Sequence, residues 1–379
     1  MGGGVTAEVN DLKALLATAD VARRAGRLAE AERLYGEAVA LSPEEPEPRH
    51  HLAGVLRMQG RLAEAEAEYR RVLALAPGAA ASARVLAVTL LAQGRYEEGF
   101  QLLEARHVLD GMRKPALPFA EWRGEEVAGK RLLIWPEQGF GDQIQYARFA
   151  GVLKARGADV TLLCYPELVR LFEGALGVRA LAASGAVEFP DPDFWVMQGS
   201  LAARLGCRTP EELPNAPYLR AVSPWPSLGE GFKMGIKPYG NPGHSNDRNR
   251  SLGAAEAERL KGLPARVIDL DPAATGAKDF ADTAAILDQL DLVICVDTSV
   301  AHLAGAMGKP CWVLLPAVDT DWRWLLERSD SPWYPSIRLF RQQAGEDWRA
   351  VLDRVEAAFA AYVRSRQQGT SEPGQGLAS

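Results

Sequence analysis

Asp291–Pro316 reads DLVICVDTSVAHLAGAMGKPCWVLLP. Leu292–Val296 is a short apolar run rich in β-branched residues, the pattern of a buried strand. Asp297, Thr298 and Ser299 supply helix-start chemistry. Val300–Met307 carries a small apolar helical pattern that Gly308 stops, and Cys311–Leu315 reads as a second buried strand. A strand that feeds straight into a helix presents unpaired backbone N–H groups and the positive end of a helix dipole. Such a terminus is a natural seat for a diphosphate.

Working outward, a chain of 379 residues has room for two or three domains. The net charge of −6, with no long basic run, argues against nucleic acid as a partner. Cys164, Cys207, Cys295 and Cys311 form no CxxC pair and read as buried free thiols of a reducing compartment. The five histidines give no metal-ligand spacing, so no metal site is expected. The N-terminus lacks the pattern of a signal peptide, and no apolar run approaches a membrane span. A cytoplasmic protein is the expectation.

Gly26, Gly60 and Gly94 are spaced by 34 residues, each in a similar phrase: AGRL, QGRL, QGRY. Ala31 and Ala65, Tyr35 and Tyr69, and Pro43 and Pro77 keep the same register. This period is the signature of tetratricopeptide repeats. The third repeat is degenerate, with Gly99 at the Ala position and Leu103 at the Tyr position, and reads as a cap against the next domain. Stacked repeats offer a concave face. Selection of a protein or peptide partner and self-association into a homo-oligomer fit it equally well.

Residues 108–129 read as a linker rich in Pro and Gly. Strands are then expected at 132–135, 160–165, 187–189 and 194–197, with helices at 143–156, 167–176 and 201–205. After a hinge near 221–231 come strand 232–237, a polar loop at 239–250, helix 254–261, strand 265–269 and helix 282–287. The opening stretch and a long helix at 346–364 complete the series. Alternating strands and helices predict doubly wound parallel sheets, with ligands at the carboxyl ends of the strands and a cleft between the two α/β units.

Two polar loops could carry chemistry. In the first, Gln138, Gly139, Gly141 and Gln143 surround Asp142. By spacing alone, Asp142 is a helix N-cap that forms a capping box with Gln145, and a catalytic role is the second reading. In the second, Asn241–Ser251, Arg248 or Arg250 could neutralise a phosphate, or simply be solvated. His302 lies about one helical turn from Asp297 and Thr298, as part of the same site or as a hydrogen-bonded core histidine. Trp322, Trp324 and Trp333 read as core packing before base stacking.

Four phrases carry a resemblance: EQGFGDQIQYARF at 137–149, GNPGHSNDRNRS at 240–251, the segment 279–316, and DWRWLLERSDSPWYPSIRLFRQ at 321–342. In order and spacing the chain resembles bacterial tetratricopeptide-repeat proteins fused to a glycosyltransferase of the GT-B fold. The relatives are the heptosyltransferases of glycosyltransferase family nine and, more distantly, O-linked N-acetylglucosamine transferase. The resemblance implies all-α repeats at 9–113, a linker at 114–129, and two Rossmann-like domains. The acceptor-side domain would span 130–225 and the nucleotide-sugar domain 231–366, before a disordered tail at 367–379.

The resemblance also implies roles. Asp142 takes that of catalytic base, with Gln138, Gly139, Gly141 and Gln143 on the acceptor-side loop. Asp297, Thr298, Ser299, Val300 and His302 hold the donor, with Asn241 and a cation from Arg248 or Arg250. Ile236-Lys237-Pro238-Tyr239 departs from the apolar strand end of repeat-fused relatives. The implied activity is inverting, metal-independent transfer from a nucleotide-diphospho-sugar co-substrate, with no further cofactor, to an acceptor such as a protein selected by the repeats. The final helix would brace the first α/β domain. The alternatives are a non-catalytic scaffold with a nucleotide-binding module, and a saccharide or small-molecule transferase that uses its repeats to oligomerise.

Overall fold

The structure is a computed structural model and describes residues 3–109, 113–137 and 139–367. Six helices open the chain: α1 Gly3–Arg24, α2 Leu28–Leu41, α3 Pro46–Met58, α4 Leu62–Leu75, α5 Ala80–Ala92 and α6 Tyr96–Leu103. They pair as three helical hairpins. At each hairpin turn the glycine takes a left-handed φ, 75° at Gly26, 78° at Gly60 and 77° at Gly94. A side chain there would be strained, which is why the period is marked by glycine. Ala31, Ala65, Tyr35 and Tyr69 are buried between the helices they join. The degenerate third repeat has a steric cause. A Cβ on Gly99 would lie 2.7 Å from Leu91 Cγ, so α5 and α6 approach too closely for alanine.

The next elements are β1 Ala120–Glu121, β2 Arg131–Trp135, α7 Phe140–Ala155, β3 Asp159–Cys164, α8 Pro166–Leu176, β4 Arg179–Ala182, β5 Phe194–Met197 and α9 Leu201–Arg204. β6 Lys233–Lys237, α10 Asp247–Arg250, α11 Ala254–Lys261, β7 Arg266–Asp269, α12 Pro272–Thr275 and α13 Phe280–Asp288 come after them. Then come β8 Leu292–Val296, α14 Ser299–Ala306, β9 Cys311–Leu315, β10 Ile337–Arg341 and α15 Trp348–Gln367. The strands form two five-stranded sheets, ordered β1-β5-β2-β3-β4 and β10-β9-β8-β6-β7, with every pairing parallel. Helical repeats followed by parallel α/β sheets are consistent with the GT-B fold class.

The chain divides into two compact units. One holds the repeats, the first sheet and the segment Val318–Arg328. The other holds Glu167–Gly177, Ala216–Ala317 and the chain from Ser329. In the first unit the repeats and sheet share buried ground. Arg106, just past α6, is 5% exposed and pairs with Glu137 at 2.7 Å. In the second, Met234, Ile236, Leu292, Ile294, Val296, Trp312, Leu314 and Phe340 of the sheet pack with Val351, Leu352, Val355, Phe359 and Tyr362 of α15. Burying each such side chain contributes about 1.5–3 kcal/mol. The final helix, expected to brace the first α/β domain, is thus seated on the sheet of its own unit.

Several local expectations are corrected. The segment read as a linker supplies β1, which pairs with β5. Residues 187–189 form no strand; the strand is β4, eight residues earlier in the chain, where Arg179 and small side chains hide the apolar pattern. The 367–379 tail lies outside the described residues from 368 onward. All four cysteines are free and buried. No helix among the described residues is long and apolar enough to cross a membrane.

Candidate active site

Each sheet has one place where its winding reverses. In the first sheet it falls between β2 and β5, whose neighbours were added in opposite directions. Loops diverge there and leave a crevice at the carboxyl ends of the strands. The loop after β2 is the Pro136–Gly141 stretch, and the turn after β5 is Gln198–Ser200. In the second sheet the reversal falls between β6 and β8. The loops there are the polar stretch after Lys237 and the Asp297–Thr298 turn. Topology therefore selects, within each unit, the loops that the sequence singles out.

In the first unit, α7 begins at Phe140 with Gly139 at its N-cap. Asp142 is the third residue of the helix and caps nothing, so the capping-box reading is overturned. The reason is Gly139, whose φ of 88° lets the helix start early. Gln145, the expected partner of the box, is buried and accepts a hydrogen bond from Arg323 Nε.

Asp142 also points at Arg323. Arg323 Nη2 donates to Asp142 Oδ1, while Nη1 pairs with Asp321 at 3.0 Å and the guanidinium lies over the Trp322 ring at 4.6 Å. Oδ2 of Asp142 has no hydrogen bond among the described residues, and it lies above Gly139. A Cβ at residue 139 would sit 2.5 Å from it. Burial pushes the Asp142 carboxyl up to about 6; Arg323 opposes this, and Asp321 and Glu137 add to it. Tyr146, one turn along α7, is pushed up to about 12, mainly by burial. A carboxylate with one oxygen anchored, one oxygen open, and a midpoint near neutrality has the properties of a general base.

The rest of the loop is scaffold. Gln143 is fully buried, donates to Glu137 O at 2.8 Å and accepts from Tyr165 N at 2.9 Å. It ties the loop to the end of β3. Glu137 is gripped by Arg106 and accepts from Gly199 N. Glu104 reinforces Arg106. Burial works to raise the Glu104 carboxyl, but hydrogen bonds from His107 and Ser200 and the charges of Arg106 and Arg204 hold it well below the usual carboxylate range. Gly141 lies in the first turn of α7. Gln138 lies outside the described residues.

In the second unit, Thr298 is the N-cap of α14, but its side chain makes no capping bond. Its Oγ1 is buried without a partner, an orphaned polar atom at a helix start. Ala301 N donates to Thr298 O, while the N–H groups of Ser299 and Val300 find no acceptor among the described residues. Such groups suit the oxygens of a diphosphate.

The two candidate arginines separate. Arg250 is largely buried, donates to Asp297 O at 2.8 Å and pairs with Asp247 at 3.1 Å, so it pins the loop to the turn. Arg248 is exposed on α10 with no ion pair among the described residues. It is the available cation. Asn241 is exposed and its side chain turns back on Gly243 N at 2.9 Å. His302 is buried and shares a 3.0 Å hydrogen bond between Nδ1 and Tyr334 Oη, which is the core-histidine reading.

Lys237 is paired with Asp271 at 2.6 Å. Trp324 and Trp333 are fully buried and serve packing. Trp322 packs edge-on against Tyr96 and Phe100 of the third repeat. Arg323 is the site residue that sequence reasoning missed. It lies in the phrase beginning at Asp321, between two tryptophans.

Residues 22–87 match the tetratricopeptide repeat profile, and residues 249–315 match glycosyltransferase family 9 (heptosyltransferase). The chain is 27% identical over 319 residues to Protein FlbA of Caulobacter vibrioides, covering 71% of this chain and 53% of that protein. It thus spans about half the length of that relative. A family 9 glycosyl transferase structure from Veillonella parvula aligns over 61% of this chain and 92% of its own, at 12% identity and a TM-score of 0.41. An O-GlcNAc transferase mutant from Thermobaculum terrenum aligns over 83% of this chain and 84% of its own, at 16% identity and a TM-score of 0.27. The chain thus carries tetratricopeptide repeats and a segment that matches glycosyltransferase family 9.

Proposed function

We propose that the chain transfers a sugar, with inversion, from a nucleotide-diphospho-sugar to an acceptor hydroxyl. The acceptor oxygen forms a bond to the anomeric carbon as the bond from that carbon to the diphosphate breaks. The hydroxyl proton passes to Asp142 Oδ2, and the nucleoside diphosphate leaves with the bonding electrons. Thr298, the N–H groups of Ser299 and Val300, and Arg248 stabilise the leaving charge. In this reading the compensating cations are the protein's own. The observation that carries it is the Asp142 carboxylate, with one oxygen anchored by Arg323, the other open, and a midpoint raised toward neutrality.

The repeats supply a surface for choosing a protein acceptor, since recognition through a concave helical stack is what such arrays offer. The test is stabilisation against heat by a panel of nucleoside diphosphates and nucleotide sugars, with wild-type and Arg248→Met proteins side by side. Stabilisation by a diphosphate, reduced in the variant, is expected. No shift with any nucleotide would favour a scaffold without catalysis.

A further inference from the structure

Val318–Arg328 joins the first unit although the sequence around it belongs to the second. The segment is held to the repeats at two places. Arg57 of α3 pairs with Asp319, and Trp322 packs edge-on between Tyr96 and Phe100 of α6, with centroid distances of 6.1 and 5.9 Å. At the first anchor and beyond the second the backbone is strained. Asp319, Leu325 and Glu327 take φ values of 56°, 53° and 53°, and among the described residues no other non-glycine residue has a positive φ. Strain of this kind persists only where the surroundings over-determine it, and it clusters at functional positions. What the segment delivers is Arg323, stacked on Trp322 and bonded to Asp142 and Gln145.

We propose that Val318–Arg328 is a strap by which the repeats hold Arg323 on Asp142, so that Arg323 is a positioning residue for the base and the state of the repeats sets how readily the base ionises. This rests on the reading of Asp142 as the proton acceptor. Arg323 occupies Oδ1 and leaves Oδ2 for the acceptor hydroxyl. It also opposes the other groups facing Asp142. Asp321 on the strap and Glu137 on the neighbouring loop are acidic, and Tyr146 on the same helix is a phenol with its ring 5.8 Å from the guanidinium. Arg106 already pairs with Glu137, and Arg323 is the cation that lowers the Asp142 carboxyl. A partner that bends the repeats, or pulls on Trp322, would loosen Arg323. Proton acceptance would then respond to occupancy of the repeat surface.

The experiment is a titration of the Asp142 carboxyl in the full chain, by NMR of protein labelled with 13C at aspartate Cγ. The signal is assigned by its loss in Asp142→Asn. Arg323→Met raises the midpoint by about one pH unit or more, Arg323→Lys restores part of the shift, and Asp321→Asn moves it down. Arg57→Met, which touches only an anchor, and Trp322→Leu, which also removes the ring under the Arg323 guanidinium, raise it by less than Arg323→Met. Thermal melts identify any variant that fails to fold. An unmoved midpoint in Arg323→Met, with the fold intact, overturns the proposal. Midpoints unmoved in both anchor variants refute the link to the repeats. The titration does not depend on turnover. If Asp142→Asn keeps full transfer activity, the base assignment fails while the pairing measured here can still stand.

Discussion

Acidification from pH 7 to pH 5 separates a tuned base from an ordinary aspartate. With a midpoint of about 6, Asp142 is about nine-tenths ionised at pH 7 and about one-tenth ionised at pH 5. If it must be ionised to accept the proton, kcat/KM falls roughly tenfold between the two. An aspartate at its usual value of about 3.9 stays more than about 90% ionised at both, and the rate barely changes. Stability moves the other way. The folded-state midpoint lies above the unfolded one, so between about pH 4 and 6 the folded chain holds the extra proton. Ionising this group as pH rises through that window therefore subtracts from stability while it adds activity. Release of nucleoside diphosphate at subsaturating donor, followed from pH 5 to 8 with melting curves in parallel, measures both. A rate that stays flat down to pH 5 would refute the burial argument.

Three further outcomes come from the same geometry. Gly199→Ala would place a Cβ 2.0 Å from Glu137 Oε2 and 3.1 Å from Arg106 Nη2. Separating that buried pair costs about 3–5 kcal/mol, read as a lower midpoint in urea unfolding. Gly139→Ala puts a side chain at a φ of 88° and against the open oxygen of Asp142, so it lowers transfer more than donor affinity, read as kcat against KM. Arg248→Met weakens calorimetric binding of a nucleoside diphosphate by about tenfold or more, the worth of a charged hydrogen bond, and leaves the melting temperature nearly unchanged. Equal affinity in that variant would return the role to Arg250.

The legible parts of the fold share a physical cause. Leu292–Val296 and Cys311–Leu315 match their strands residue for residue, because a parallel strand covered on both faces is an unbroken apolar run. The repeat was legible because its turns demand a left-handed residue every 34 positions. β1 escaped because it has only two residues in a Pro-rich segment, and β10 because Arg338 interrupts its apolar pattern. The place of Asp142 within its helix was not legible. Spacing sees an acid near a helix start, whereas the start itself depends on the backbone of Gly139. Arg323 stands 181 residues from Asp142, and no local pattern encodes a pairing made by tertiary structure. Arg248 and Arg250 are equivalent as sequence. Only the hydrogen bond to Asp297 O shows that Arg250 is already committed.

Everything proposed for the chemistry depends on Asp142 taking the proton of the acceptor. The decisive comparison is between wild-type and Asp142→Asn protein with the nucleotide sugar that gives the largest thermal shift. Donor affinity is read by calorimetry and transfer by nucleoside diphosphate release. Asn keeps the shape of the side chain but cannot accept the proton. The expected result is nearly unchanged donor affinity and a transfer rate lower by about 10²–10⁴. A variant that transfers at the wild-type rate, or that loses donor affinity in step with activity, would contradict the assignment of Asp142 as the base.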